Sequence, residues 1–271
     1  MDDQEPSSPS AQTEFGSIIA EKKSVNFLSR LGLGISALTL TIALVLVYFA
    51  VGPIMQYRDT DPVIDGYVQP RSISKLVSLV QDSTVSIYCE YNAEGDYDQG
   101  TGWAMNIETD MQDTYPTSLI TNHHVIENCI DKKGKLTVAA FGGKEFPAVI
   151  DNYDAKNDLA VLATKLILKP LEMSENIPNP GYWVMAVGTA DGFEGSVAFG
   201  NVLNITEDEV LITAAISSGN SGGPLVDNEG KVIGTNSWSS TKEQYNGAKS
   251  LDSMCSVIME CGGKTYWDWN F

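Results

Sequence analysis

The stretch that most constrains this chain is Ile216-Ser217-Ser218-Gly219-Asn220-Ser221-Gly222-Gly223-Pro224. Glycine accepts positive φ and lets another backbone come close. A serine set among Gly219, Gly222 and Gly223 can therefore occupy a tight, exposed turn. The same turn can aim the N–H groups of Gly219 and Ser221 into one small space. A reachable hydroxyl and donors for a developing oxyanion are two requirements of acyl transfer. The flanks are strands: Val210 to Ala215 is apolar and partly β-branched, and Pro224-Leu225-Val226 leads through Asp227-Asn228-Glu229-Gly230 to Lys231-Val232-Ile233-Gly234. Taken alone, the loop also reads as a glycine-rich hairpin with an incidental serine. Gly219-Asn220-Ser221-Gly222-Gly223 satisfies G-x-S-x-G, but that elbow requires a helix after the serine and a histidine later in the chain. Here a proline and a hairpin follow, and both histidines, His123 and His124, come earlier.

Residues 1–30 are polar and read as a disordered cytoplasmic tail. Leu31 to Gly52 is almost wholly apolar, and no charge falls between Arg30 and Arg58. About 22 residues make roughly 33 Å of helix, enough to span a bilayer. A cleaved signal peptide is the rival, but the long tail before the run and the absence of a small-x-small site favour an uncleaved anchor. Lys22, Lys23 and Arg30 precede the span and acids follow it, which places the N-terminus in the cytoplasm and the rest outside. Residues 53–71 read as a stalk, and Ser72 to Ser83 as a short helix capped by Ser72. From Val85 the chain becomes a series of short strands with Gly, Asn and Asp turns, a β-barrel or sandwich pattern.

The formal net charge is −18 over 271 residues. An acidic surface excludes a nucleic-acid binder, which needs a basic face. Four cysteines allow three pairings, or four buried thiols. Cys255 and Cys261 are near enough to close a short loop, leaving Cys89 with Cys129. No C-x-x-C occurs and two adjacent histidines make no zinc set, so neither a metal nor a cofactor is expected.

Serine needs a base. His123 and His124 lie where an apolar strand, Leu119-Ile120-Thr121, runs out into a turn, and strand geometry sends adjacent side chains to opposite faces. The base needs an orienting acid. Asp158 opens the apolar run Leu159-Ala160-Val161-Leu162, and a carboxylate fixed to a buried strand needs a partner. The order His, Asp, Ser is that of one known catalytic arrangement.

In these pieces the chain resembles the trypsin-fold serine proteases, and is most similar to the HtrA/Deg type. The matching segments are Gly100-Thr101-Gly102-Trp103, Thr121-Asn122-His123-His124-Val125-Ile126, Asp158 to Leu162, Ala186-Val187-Gly188, Ser196 to Val202, Gly219 to Leu225 and Gly230 to Gly234. The resemblance implies an all-β fold of two packed antiparallel β-barrels over residues 72–271. It implies His124 as base, Asp158 as orienting acid, Ser221 as nucleophile, and the N–H groups of Gly219 and Ser221 as oxyanion donors. It gives His123 no catalytic part. It implies polypeptide substrates and a pocket formed by Ala215, Ile216, Asn236, Ser237 and Trp238. With no charge in that set, cleavage is expected after small or medium apolar residues. Oligomers, usually trimers, are a property of the resembled family. The stretch after Ser221 is too short for that family's PDZ domain. A protease fold kept as a silent binding or sensing module is the alternative.

Overall fold

The structure, a computed structural model, describes residues 36, 38–49, 66–259 except 93, 108, 110, 241, 243 and 244, and residue 267. The chain divides into two units, Met1–Asp59 and Thr60–Phe271. In the first, residues 38–49 form a helix, α1, whose Leu38, Leu40, Ile42, Leu44, Leu46 and Phe49 are all exposed. Among the described residues no helix is long and apolar enough to cross a membrane. The remainder of the expected 31–52 span, and the expected tail, lie outside the described residues.

The second unit is two closed six-strand antiparallel barrels. A helix, α2 (Ile73–Gln81), leads in, with Leu76 and Val80 buried. Ser72 stands at its N-cap position, but its side chain makes no cap bond. The first barrel holds β1 (Thr84–Glu90), β2 (Tyr97–Met105), β3 (Thr117–Thr121), β4 (Lys135–Ala140), β5 (Glu145–Asp154) and β6 (Leu159–Thr164). Its closing order is β1-β2-β3-β6-β5-β4. The second holds β7 (Trp183–Ala190), β8 (Phe193–Ile205), β9 (Glu209–Ile212), β10 (Pro224–Val226), β11 (Val232–Ser239) and β12 (Asn246–Ser250), closed as β10-β11-β12-β9-β8-β7. Closure removes the unpaired strand edges that an open sheet would expose.

The burial pattern explains why the barrels pack. Every residue of β3 and β6 is buried, so these strands are covered on both faces. Val85, Ile87, Leu119, Ile126 and Leu162 fill the first barrel. Trp103, Ile120, Leu159 and Val161 instead join Val184, Met185, Leu225 and Ile233 in a core shared by the two barrels. Trp103 is fully buried, and its indole Nε1 donates to Thr235 Oγ1 of β11 at 3.1 Å. A buried indole N–H without such an acceptor would be costly.

Three segments depart from the sequence reading. The strand expected to carry the histidines ends at Thr121, and His123–Asp131 form a helix, α3. Val125, Ile126 and Cys129 are its buried face, a helical spacing hidden in an apolar run too short to separate the two periods. Strand β12 and the helix α4 (Leu251–Val257) were not expected at all. The N–H of Ser253 is capped by Ser250 Oγ, with Asp252 in the first turn of α4. Upstream of Ser72, Gly66 O accepts the N–H of Trp183, and the ring of Tyr67 meets Tyr182 edge to face. At the other end Trp267 is buried, its Nε1 donating to Ser174 O and its N–H to Asp252.

Cys89 on β1 and Cys129 on α3 are disulfide-bonded, 40 residues apart in sequence. Among the described residues no cysteine is free, and Cys255 is bonded. Its expected partner, Cys261, lies outside the described residues. Opening a loop of this length should cost about 3–4 kcal/mol in the chain-entropy account. Replacing Cys89 and Cys129 by alanine should lower the urea midpoint and steepen the slope, because the unfolded chain without the cross-link exposes more surface.

Candidate active site

The histidine is placed by a helix end. The first N–H groups of any α-helix lack intrahelical acceptors. In α3 the N-cap residue Asn122 makes no side-chain cap; its Nδ2 donates instead to Asp158 O at 2.8 Å. The N–H of His124 donates to Asp158 Oδ1 at 2.9 Å. The ring Nδ1 of His124 lies 2.9 Å from both Oδ1 and Oδ2 of Asp158. An ionised carboxylate only accepts, so Nδ1 carries the proton and Nε2 of the neutral ring is left as an acceptor.

Asp158 ends the turn between β5 and β6, where Asp154 Oδ1 takes the N–H and Nδ2 of Asn157. Its φ is +55°, an uncommon place for a side-chain-bearing residue, held by the bonds around it. Burial by itself would raise the carboxyl. The hydrogen bonds from the His124 ring and N–H, the attraction of an imidazolium whenever His124 is protonated, and the hydroxyl of Ser237 outweigh it, and hold Asp158 below the usual carboxylate range.

Ser237 reaches Asp158 because β11 is bulged. Asn236 pairs with Ala248 and Trp238 with Gly247, so Ser237 is the extra residue. Bulges re-aim side chains near sites. Here Ser237 Oγ donates to Asp158 Oδ2 at 2.8 Å, while Ser237 O accepts the hydroxyl of Ser221 at 3.2 Å. Ser237 thus stands between the acid and the turn serine. Among the described residues no hydrogen bond joins Ser221 Oγ to His124.

The turn bearing Ser221 is braced on three sides. Gly222 N–H donates to Asn236 O and Asn236 N–H to Gly223 O. Thr101 N–H donates to Ser221 O, and Thr101 Oγ1 to Gly219 O at 2.6 Å. Gly219 has φ +90°, and a Cβ there would lie 2.1 Å from Thr189 O. Only glycine fits both the angle and the space. Among the described residues no acceptor takes the N–H of Gly219 or of Ser221.

The structure therefore brings His124, Asp158, Ser221 and Gly219 into one neighbourhood through Ser237 and Thr101. His123 stays apart, its ring 5.2 Å from that of Tyr153. Of the residues expected to form a pocket, Ala215 is exposed and Ile216 half-buried. Asn236 is fully buried, with Nδ2 on Pro224 O, and supports the turn from beneath. Trp238 lies across Gly247, its Nε1 donating to Glu209, which also pairs with Lys249. Thr101 and the hydroxyl of Ser237 escaped the sequence reading. A threonine between glycines and a serine in a polar run carry no local mark of what they will meet. Among the described residues no group of three His, Cys, Asp or Glu could hold a metal ion.

Comparison with known proteins adds the following. Residues 100–234 match the family described as the trypsin-like peptidase domain. The chain is 36% identical over 150 residues to the probable periplasmic serine endoprotease DegP-like of Chlamydia trachomatis, covering 51% of this chain and 28% of that protein. It is 30% identical over 181 residues to the mitochondrial serine protease HTRA2 of Drosophila grimshawi, covering 61% and 42%. The crystal structure of the serine endoprotease from Yersinia pestis superposes with a TM-score of 0.57 at 27% identity, covering 67% of this chain and 63% of that one. The chain thus spans less than half the length of these two curated relatives.

Because Asp158 ionises more readily folded than unfolded, it adds stability above the ordinary carboxylate pKa and loses it as pH falls through the lowered value. Asp158→Asn should cost about 1.5–3 kcal/mol at neutral pH, the range for a hydrogen bond to a charged group. The gap from wild type should close on acidification, read as melting temperature against pH.

Proposed function

We propose, for a chain that belongs over residues 100–234 to the trypsin-like peptidase domain family, the activity of a serine endopeptidase of the HtrA/DegP type. The observation that carries this reading is the Asp158 carboxylate shared by the His124 ring and Ser237, with Ser221 held by the same Ser237. In the proposed reaction, Ser221 Oγ leaves the Ser237 carbonyl by rotation about its Cα–Cβ bond and donates to His124 Nε2. As it attacks a peptide carbonyl, His124 takes its proton, and Asp158 stabilises the imidazolium that forms. The carbonyl oxygen, now an oxyanion, accepts from the N–H groups of Gly219 and Ser221. Each such donor is worth about 3 kcal/mol of barrier. His124 then gives its proton to the leaving amine, and later activates the water that hydrolyses the acyl-enzyme.

Cleavage follows small or medium apolar residues. What supports this is the absence of charge at Ala215, Ile216 and Trp238, and the engagement of the Glu209 carboxylate by Trp238 Nε1 and Lys249. We place the domain outside the cytoplasm, tethered by an anchor over residues 31–52. The supports are the periplasmic DegP-like relatives, the uncharged run in the sequence and the exposed apolar side chains of α1.

A fluorophosphonate probe should label the full chain at one site. Ser221→Ala should abolish labelling, and His124→Ala should slow it by at least about 10³-fold, as expected for loss of a triad member. Wild type without label would leave the silent-module alternative. Digestion of unfolded casein should give cuts after Val, Ala, Ile or Leu; a profile dominated by Lys, Arg or Glu would reject the pocket assignment.

A further inference from the structure

Glu194 is the second residue of β8, the descending strand of the β7–β8 hairpin in the second barrel, yet its hydrogen bonds come from the first. Its Oε1 accepts the Tyr88 hydroxyl at 2.7 Å and the Ser86 hydroxyl at 3.1 Å, and its Oε2 accepts the N–H of Gly142 at 2.7 Å. A bulge aims it there. Gly188 pairs with Ser196 but Thr189 pairs with Glu194, so Gly195, at φ +73°, is the extra residue. Burial would raise the Glu194 carboxyl, but the Gly142, Tyr88 and Ser86 bonds outweigh it and keep it ionised. Charge-assisted bonds of this kind are about twice as strong as neutral ones.

From Glu194 a continuous set of bonds runs to the Ser221 turn. Directly across the ladder, Thr189 Oγ1 shares a buried hydrogen bond of 2.9 Å with Ser86 Oγ. Thr189 N–H donates to Thr101 Oγ1, which donates to Gly219 O. At the hairpin tip, Asp191 N–H donates to Ser218 O at 2.7 Å. In a trans peptide the C=O and N–H point in opposite directions. Holding Ser218 C=O on the hairpin therefore turns the Gly219 N–H away from it. The Gly219 turn is in close contact with this hairpin, with Thr189 O where a Cβ would go.

We propose that Glu194 is a positioning residue for the oxyanion site: it fastens the hairpin to the first barrel, so that the Ser218–Gly219 peptide keeps the orientation that offers the Gly219 N–H. This rests on the reading of Ser221 as nucleophile. Glu194 touches no reacting atom; it acts through the hairpin.

The test uses the full chain and a fluorophosphonate probe, measuring kinact and KI for wild type, Glu194→Ala, Tyr88→Phe and the double variant, each well below its own Tm. Glu194→Ala should lower kinact by about tenfold to a hundredfold, somewhat less than outright loss of a donor. KI should stay within about twofold, since the change acts on the transition state. Tyr88→Phe should give a smaller fall, and the double variant should be no slower than Glu194→Ala, because both break one clamp. Glu194→Ala with kinact within twofold of wild type overturns the proposal, as do additive effects or a change confined to KI. Should Glu194→Ala not fold, Tyr88→Phe decides: reduced kinact at unchanged KI upholds the clamp, and unchanged kinact overturns it. A wild type that takes no label at Ser221 overturns the protease reading as well; a labelled wild type with an indifferent clamp overturns this inference alone.

Discussion

The whole site hangs on one carboxylate. Asp158 accepts from the ring of His124, from the N–H at the start of α3 and from the hydroxyl of Ser237. It thereby fixes a helix end, a tautomer and the approach of the second barrel to the first. A carboxylate taken partly from water must recover its solvation from donors. Here it does so with the groups that the proposed mechanism would use, so that satisfying the charge and organising the site are one event.

That arrangement holds only while the barrels keep their registration, and the interface between them does more than exclude water. Trp103 fills it and bonds to Thr235. Thr101, two residues earlier on β2, ties the Ser221 turn with its N–H and the Gly219 carbonyl with its hydroxyl. Strand β2 thus supplies the packing of the interface and the brace of the turn from adjacent positions. Two bulges, at Ser237 and at Gly195, send the polar side chains of Ser237 and Glu194 back across the interface toward the first barrel. The interface is largely apolar, with buried hydrogen bonds set within it at Trp103–Thr235 and Ser86–Thr189.

Ser221 itself rests on the Ser237 carbonyl, one rotation from the imidazole by the proposed mechanism. A hydroxyl partly shielded from water takes an acceptor within reach, and for Ser221 that acceptor is the Ser237 carbonyl. Exchange of one acceptor for another is a small change compared with moving a loop. The glycines carry the rigid part: Gly219 and Gly222 both have positive φ, and both abut backbone oxygens, of Thr189 and Thr101.

The glycine-serine turn, the apolar strands and the segments Gly100 to Trp103 and Asp158 to Leu162 were legible in the chain, because turn chemistry and alternation are local properties. The β-rich class followed from them. The start of helix α3 was read as a strand running out into a turn because Thr121 to Ile126 is too short for a helical period to show, and the helix N-terminus is capped by Asp158, from 34 residues away, and not by a neighbour. Two barrels and the Cys89–Cys129 pair were expected, the first from the resemblance and the second as the remainder once Cys255 was paired with Cys261; the place of Asn236 beneath the turn and the bonds from the first barrel to Glu194 were not, because they are relations between distant strands. No window of sequence contains both partners. The order of residues determined which groups could do chemistry; only the packed barrels decided which of them meet, because hydrogen bonds need a few ångströms and a fixed direction that chain connectivity does not supply.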